Sequence, residues 1–186
     1  GVGAVHRALC VGDVLRLVGG SDVGAGRLDS GGDRRVGVSR RVLDGPVGAE
    51  LLASLEGFDL VGLCFYDAGA RSIYMPTRAV RTPADMKGLR IRVQTSPVMA
   101  EVMQTLGAIP VPVPYAQVRA RLGAGTVDAA ENNIISYLGS RHHEVAKVYS
   151  LTEHAAPPAV VVFSKRVWDR LPVEDREIIR QAARES

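Results

Sequence analysis

From residue 42 onward the apolar positions fall into short runs whose period switches between 3.6 and 2, and each switch marks an element. Behind Gly45-Pro46, the residues Val47, Leu51, Leu52 and Leu55 recur at helical spacing and predict a helix through about Glu56. Leu60 to Tyr66 (LVGLCFY) is a continuous apolar run suited to a buried strand. Residues 69–75 predict a connecting strand with Arg71 and Ser72 in its first half. Thr82-Pro83-Ala84-Asp85 reads as a short helix capped by the Thr82 hydroxyl and ended by Gly88. In the strand that follows, Leu89, Ile91 and Val93 point one way while Arg90 and Arg92 point the other. Helices are predicted over 96–106, 115–122, 165–171 and 172–185, the last with Ile178, Ile179 and Ala182 inward. Strands are predicted over 108–113, 127–130, 145–151 and 160–163, and a short helix follows Asn133. Strands alternate with helices, the pattern of an α/β protein with a mainly parallel sheet.

Residues 1–41 break this grammar. They hold ten of the twenty glycines and show no sustained period, so they are expected to form a poorly ordered or non-native lead-in. They also carry seven arginines against four acids, the whole of the net charge of +3, and the remainder has sixteen charges of each sign. A pI near 9.1 therefore does not indicate nucleic acid, because no basic face with interleaved aromatics occurs in the neutral body. Composition, 46% hydrophobic and 23% charged, is that of a globular protein, and no apolar run approaches the roughly 18 residues of a membrane helix. The N-terminus lacks a signal-peptide layout. Cys10 and Cys64 define neither a disulfide framework nor a metal cluster.

Catalytic and cofactor motifs are absent: the chain has no GxSxG, P-loop, HExxH or strand-coupled GxGxxG, so no cofactor or metal is expected. Adjacent His142-His143 diverge on a helix and suit a solvated surface better than a zinc pair. Asp128 and Glu131 are candidate general bases for an α/β enzyme. Binding chemistry is better represented. Arg92 lies at the C-terminal end of a strand, just before a helix begins, where open α/β sheets bind ligands, and its planar fork matches a carboxylate. The alternative is a surface arginine. Asn132 and Asn133 follow a strand and serve either a ligand or a turn, and Tyr115, beyond Pro114, serves either a ligand or the core.

Several stretches in order, VLDGPVGAELLASLE, GLCFYDAGAR, TPADMKGLRIRV, VDAAENNIIS, EVAKVYSLTEH and the final SKRVWDRLPVEDREIIRQAARES, resemble the solute-binding proteins of TRAP (tripartite ATP-independent periplasmic) transporters. The resemblance runs from about residue 42 to the end. It implies a two-lobed α/β fold of the type II periplasmic-binding-protein kind, incomplete at its N- and C-termini. Residues 42–69 and 157–186 would contribute to lobe I, and 70–156 would form lobe II, the carboxylate-binding lobe. The implied function is capture of a small organic acid (dicarboxylate, sugar acid or keto acid) in the periplasm, with closure of the lobes and delivery to membrane permease subunits. The protein itself would be neither an enzyme nor inserted in the membrane. By the same likeness Arg92 clamps the ligand carboxylate, Asn132, Arg71 and Tyr115 orient it, and Thr95 is a further pocket position. The chain departs from the family pattern at Gln117, Arg119, Ala129 and Ile134-Ile135. An enzyme using Glu131 or Asp128, or a non-functional fragment, are the competing readings.

Overall fold

The computed structural model describes residues 8–10, as backbone, and residues 41–185. The chain divides into two compact units, and the division falls at Gly69 and again after Ala156. The expected lead-in lies outside the described residues apart from residue 41 and a short strand, β1 (Ala8–Cys10), which pairs antiparallel with Val148–Ser150.

The unit built on Gly69–Ala156 is a six-stranded sheet with helices on both faces. Its further elements in chain order are β3 (Arg71–Met75), β4 (Arg90–Val93), α2 (Pro97–Thr105), β5 (Ile109–Pro112), α3 (Val118–Gly123), β6 (Ala129–Asn132), α4 (Ile134–Gly139) and β7 (Val148–Ala155). The helix α1 (Pro46–Ser54) and the strand β2 (Leu60–Tyr66), which precede β3 in the chain, belong to the other unit. Strand order is β1-β7-β3-β6-β4-β5.

The expectation of a mainly parallel sheet needs correction. β4 runs parallel to β5 and β6, but β6–β3, β3–β7 and β7–β1 are antiparallel. Helical crossovers through α2 and α3 keep β4, β5 and β6 parallel, whereas β3 is sandwiched between strands much later in the chain. Its direction is a long-range property that element order does not encode.

Alternation along the strands divides the core in two. Ile91 and Val93 join Ile73, Met75, Ala129, Met99 and Met103 on the α2 face. Ala130, Tyr74 and Tyr149 join Val118, Leu122 and Tyr137 on the other face. The turn into β4 begins at a capping box: the Thr82 side chain takes the backbone N–H of Asp85, as expected, and the Asp85 carboxylate caps in return. It accepts the backbone N–H of Thr82 at 2.8 Å and of Arg81 at 2.9 Å, and the Thr82 hydroxyl donates to it. Gly88 then takes φ +75° and its N–H reaches the Gly107 carbonyl at 3.0 Å, tying the entry of β4 to the end of α2.

The second unit holds residues 41–68 and 157–185 among those described. It comprises α1 (Pro46–Ser54), β2 (Leu60–Tyr66), β8 (Ala159–Ser164), α5 (Lys165–Trp168) and α6 (Val173–Glu185), with β2 and β8 forming an antiparallel ladder. Gly62 admits α1: a Cβ there would lie 2.9 Å from the Leu52 carbonyl oxygen. Trp168 is buried against the Phe163 ring at 5.4 Å, under the Arg180 guanidinium at 5.0 Å. On α6 the inward residues are Arg176, Ile179 and Ala183, while Ile178 and Ala182 are exposed, one position off the expected face.

Candidate functional site

All five expected site residues lie in the six-stranded unit, and three sit at one end of its interior strands. Arg92 is the next-to-last residue of β4, Asn132 is the last of β6, and antiparallel β3 begins there with Arg71. Register fixes which face each takes. Arg92 and Tyr74 both stand opposite Ala130, so they share a face with Asn132 two residues on. Glu131 stands opposite Ile73, which puts Arg71 and Glu131 together on the α2 face.

Arg92 is 2% exposed. Its Nε and Nη2 both donate to the Val113 carbonyl, at 2.9 and 2.8 Å, and its guanidinium carbon lies 5.9 Å from the centre of the Tyr115 ring. Among the described residues no carboxylate pairs with it. Burial lowers its pKa, opposed by Tyr74 and Glu131, yet an arginine keeps its charge at any relevant pH. Two of its five N–H groups go to Val113, which leaves the Nη1–Nη2 edge to meet a carboxylate end-on.

Arg71 is committed elsewhere. Its Nε and Nη2 grip Glu131 bidentately at 2.6 and 2.8 Å, with both side chains buried. Burial opposes charge on both groups, but mutual hydrogen bonding outweighs it: the Arg71 pKa rises, and Glu131, with His154 also contributing, falls. A bulge in β7 completes this cluster. Pairing slips between Arg71–Ala155 and Ile73–Ser150, with Glu153 at φ +43°, and the bulge brings Thr152 and His154 back to β3. Thr152 Oγ1 accepts the Ile73 N–H and bonds His154 Nδ1 at 2.9 Å, while His154 Nε2 lies 3.6 Å from Glu131.

Asn132 is the last residue of β6, which extends two residues beyond the strand expected over 127–130. Its Oδ1 accepts the Asn133 N–H at 2.9 Å and its backbone carbonyl takes the Tyr149 hydroxyl, leaving the side-chain NH2 without an acceptor among the described residues. Asn133 performs the turn chemistry, its Oδ1 accepting the Ser136 N–H at 2.7 Å to cap α4. Tyr115 is 46% exposed and so is not a core residue; its hydroxyl reaches the Ser136 carbonyl and the Ser140 hydroxyl. Thr95 is exposed in the bend between β4 and α2.

His142 was expected on a solvated surface and is instead 2% exposed. The preceding residue, Arg141, takes φ +57°, which turns the chain inward, and Nδ1 meets the Tyr74 hydroxyl at 2.8 Å. The burial of His142 against Tyr74, the Val113 carbonyl and the pairing of Glu131 with Arg71 and His154 carried no signal in the sequence, because each arises from distant pairing. Asp128 and Glu131, the candidate bases, are both neutralised. Asp128 holds Arg90 through two contacts at 2.7 and 3.1 Å, and its hydrogen bonds from Arg90 lower its pKa. Among the described residues no cluster of histidine, cysteine or acidic side chains could hold a metal.

The fold is that of the α/β solute-binding proteins. A TRAP periplasmic solute-binding protein of Bradyrhizobium sp., solved in complex with α/β-D-galacturonate, superposes with a TM-score of 0.73 at 53% identity over 78% of this chain and 49% of its own. Another from Chromohalobacter salexigens, with bound D-glucuronate, gives 0.74 at 36% identity over 79% of this chain and 49% of its own. The chain belongs to the bacterial extracellular solute-binding protein family 7, whose profile matches residues 34–186, eight residues earlier than the sequence resemblance began. The 2,3-diketo-L-gulonate-binding periplasmic protein YiaO of Escherichia coli is 38% identical over 148 residues, 80% of this chain and 45% of that protein. The chain spans about half the length of the curated relatives it matches.

Proposed function

We propose that the chain serves as the extracytoplasmic solute-binding component of a TRAP transporter and takes a sugar acid, with a uronate as the best-supported class, for delivery to membrane permease subunits. In this reading residues 70–156 are the carboxylate-binding lobe, and 42–69 with 157–186 contribute to the other.

The observation that carries the reading is Arg92, a buried guanidinium with its end-on edge free and no acidic partner among the described residues. An unpaired buried charge is costly, and a ligand carboxylate is the group that relieves the cost. Asn132, on the same face, offers an amide donor to the carboxylate or a neighbouring hydroxyl. Tyr115 covers the guanidinium, and Thr95 lies just beyond the strand end. Arg71, held by Glu131, shapes the strand edge and keeps its remaining nitrogen for the ligand. Uronates are favoured over other acids because two structural relatives were solved with them and a third relative is named for a keto sugar acid.

A thermal-shift screen of D-galacturonate, D-glucuronate, a C4-dicarboxylate and a 2-keto acid tests this. The uronates should raise Tm in the wild type, with no shift in Arg92→Ala. Equal shifts in both proteins would overturn the clamp assignment.

A further inference from the structure

Arg92 is anchored on one side only. Val113 fixes where the guanidinium sits, but a single carbonyl leaves its plane free to rock about the accepting oxygen. End-on recognition of a carboxylate needs that plane held, since two parallel N–H···O bonds form only when fork and carboxylate are coplanar. The ring of Tyr115 supplies one wall. Being 46% exposed, Tyr115 must be held in turn.

Its hydroxyl is tied to α4 through Ser140 and the Ser136 carbonyl, and its ring meets the His142 imidazole edge-on, with centroids 5.7 Å apart. His142 also stacks on Tyr74, with centroids 5.7 Å apart and planes 30° apart. The two are joined by the 2.8 Å bond between the Tyr74 hydroxyl and Nδ1. Tyr74 is completely buried on β3, in the strand row that contains Arg92. A chain of contacts therefore runs from rigid sheet through Tyr74 and His142 to Tyr115 and on to the guanidinium.

We propose that His142 is a positioning residue of the carboxylate clamp: bonded to Tyr74 through Nδ1 and set against Tyr115 by its ring, it fixes the aromatic wall that orients Arg92. This rests on the clamp reading above. The tautomer follows from satisfying the buried phenol. Burial keeps the Tyr74 hydroxyl protonated, and Nδ1 is its acceptor among the described residues, so the imidazole proton sits on Nε2. Burial, with Arg92, Arg119 and His143 nearby, lowers the His142 pKa to about 4, so the ring stays neutral and adds no charge to compete with Arg92 for the ligand.

Two readouts test the proposal, one needing no ligand. In the full chain, the Arg92 Nε–H resonance of the wild type should be sharp and slow to exchange at neutral pH. His142→Leu should broaden it, and His142→Asn, whose amide oxygen replaces Nδ1 as acceptor, should restore it. In calorimetric titrations with D-galacturonate, His142→Leu should weaken binding about tenfold, the worth of roughly one hydrogen bond, and His142→Asn should stay within about threefold of wild type. The double variant Tyr74→Phe/His142→Leu removes both polar partners, so its Tm should recover while its affinity stays low. Recovery of affinity together with Tm would reduce His142 to a packing residue and overturn the proposal. So would an Arg92 Nε–H signal unchanged in His142→Leu. If wild type binds no uronate, the uronate reading fails by itself, and the resonance still decides this one.

Discussion

At the scale of single residues, two arginines that look equivalent in the sequence have different work. Arg71 and Arg92 sit at the same end of the sheet's strands, but Arg71 faces Glu131 and Arg92 faces a backbone carbonyl and a ring. Removing Glu131 leaves Arg71 buried and unpaired, so Glu131→Ala should cost about 3–5 kcal/mol in urea unfolding, the usual consequence of breaking a buried pair. Arg92→Lys keeps a charge but loses the fork. It should weaken uronate binding about tenfold or more, measured by titration calorimetry, with little change in fold. Acid should act on two groups with the same sign. His142 has its pKa depressed to about 4, so between its unfolded value near 6.5 and about 4 the unfolded chain binds a proton that the folded chain does not. Stability therefore falls across that window, by about 3 kcal/mol in total, and is level above it. Glu131 is also depressed, so its contribution is present above the unfolded value of 4.5 and is lost as pH drops through its lower folded value. Urea unfolding from pH 7 to 4 should show the first phase, and His142→Asn should flatten it.

At the scale of elements, local pattern was legible and long-range pairing was not. The strand over Leu60–Tyr66 and the alternation of Arg90, Ile91, Arg92 and Val93 were readable because each depends on its own residues. The direction of β3, the bulge in β7 and the inward turn at Arg141 were not, because they arise from contacts between distant segments. The site follows the same division. Arg92 was identified from its place at a strand end. That its Nε edge is occupied by Val113, that Arg71 is taken by Glu131 and that His142 is buried all depend on register. One local requirement is testable here. Gly107 ends α2 at φ +86° and aligns β5 beside β4. Gly107→Ala should therefore destabilise by about 1–2 kcal/mol in chemical unfolding, although a Cβ there meets nothing closer than 3.8 Å. An unchanged midpoint would show that alanine takes this left-handed conformation without strain.

At the scale of the molecule, the two units differ in how they are strung. Apart from β1, the unit around the candidate site is one continuous stretch, Gly69–Ala156, with two core clusters of its own; the other is assembled from segments on either side of it. Residues 69–156 expressed alone should therefore unfold cooperatively and keep the Arg92 site, as judged by dispersed amide resonances; a collapsed spectrum would show that the flanking segments are needed. No described helix is long and apolar enough to cross a membrane. The central claim is narrower than the whole cycle of capture and delivery: a buried arginine with an open edge holds a sugar-acid carboxylate. The most direct test is calorimetric titration of D-galacturonate into wild type and Arg92→Ala, with the unfolding midpoint of each recorded alongside. The account predicts saturable binding to wild type, and affinity at least about a hundredfold lower in a folded Arg92→Ala. Equal affinity in the two proteins would contradict it.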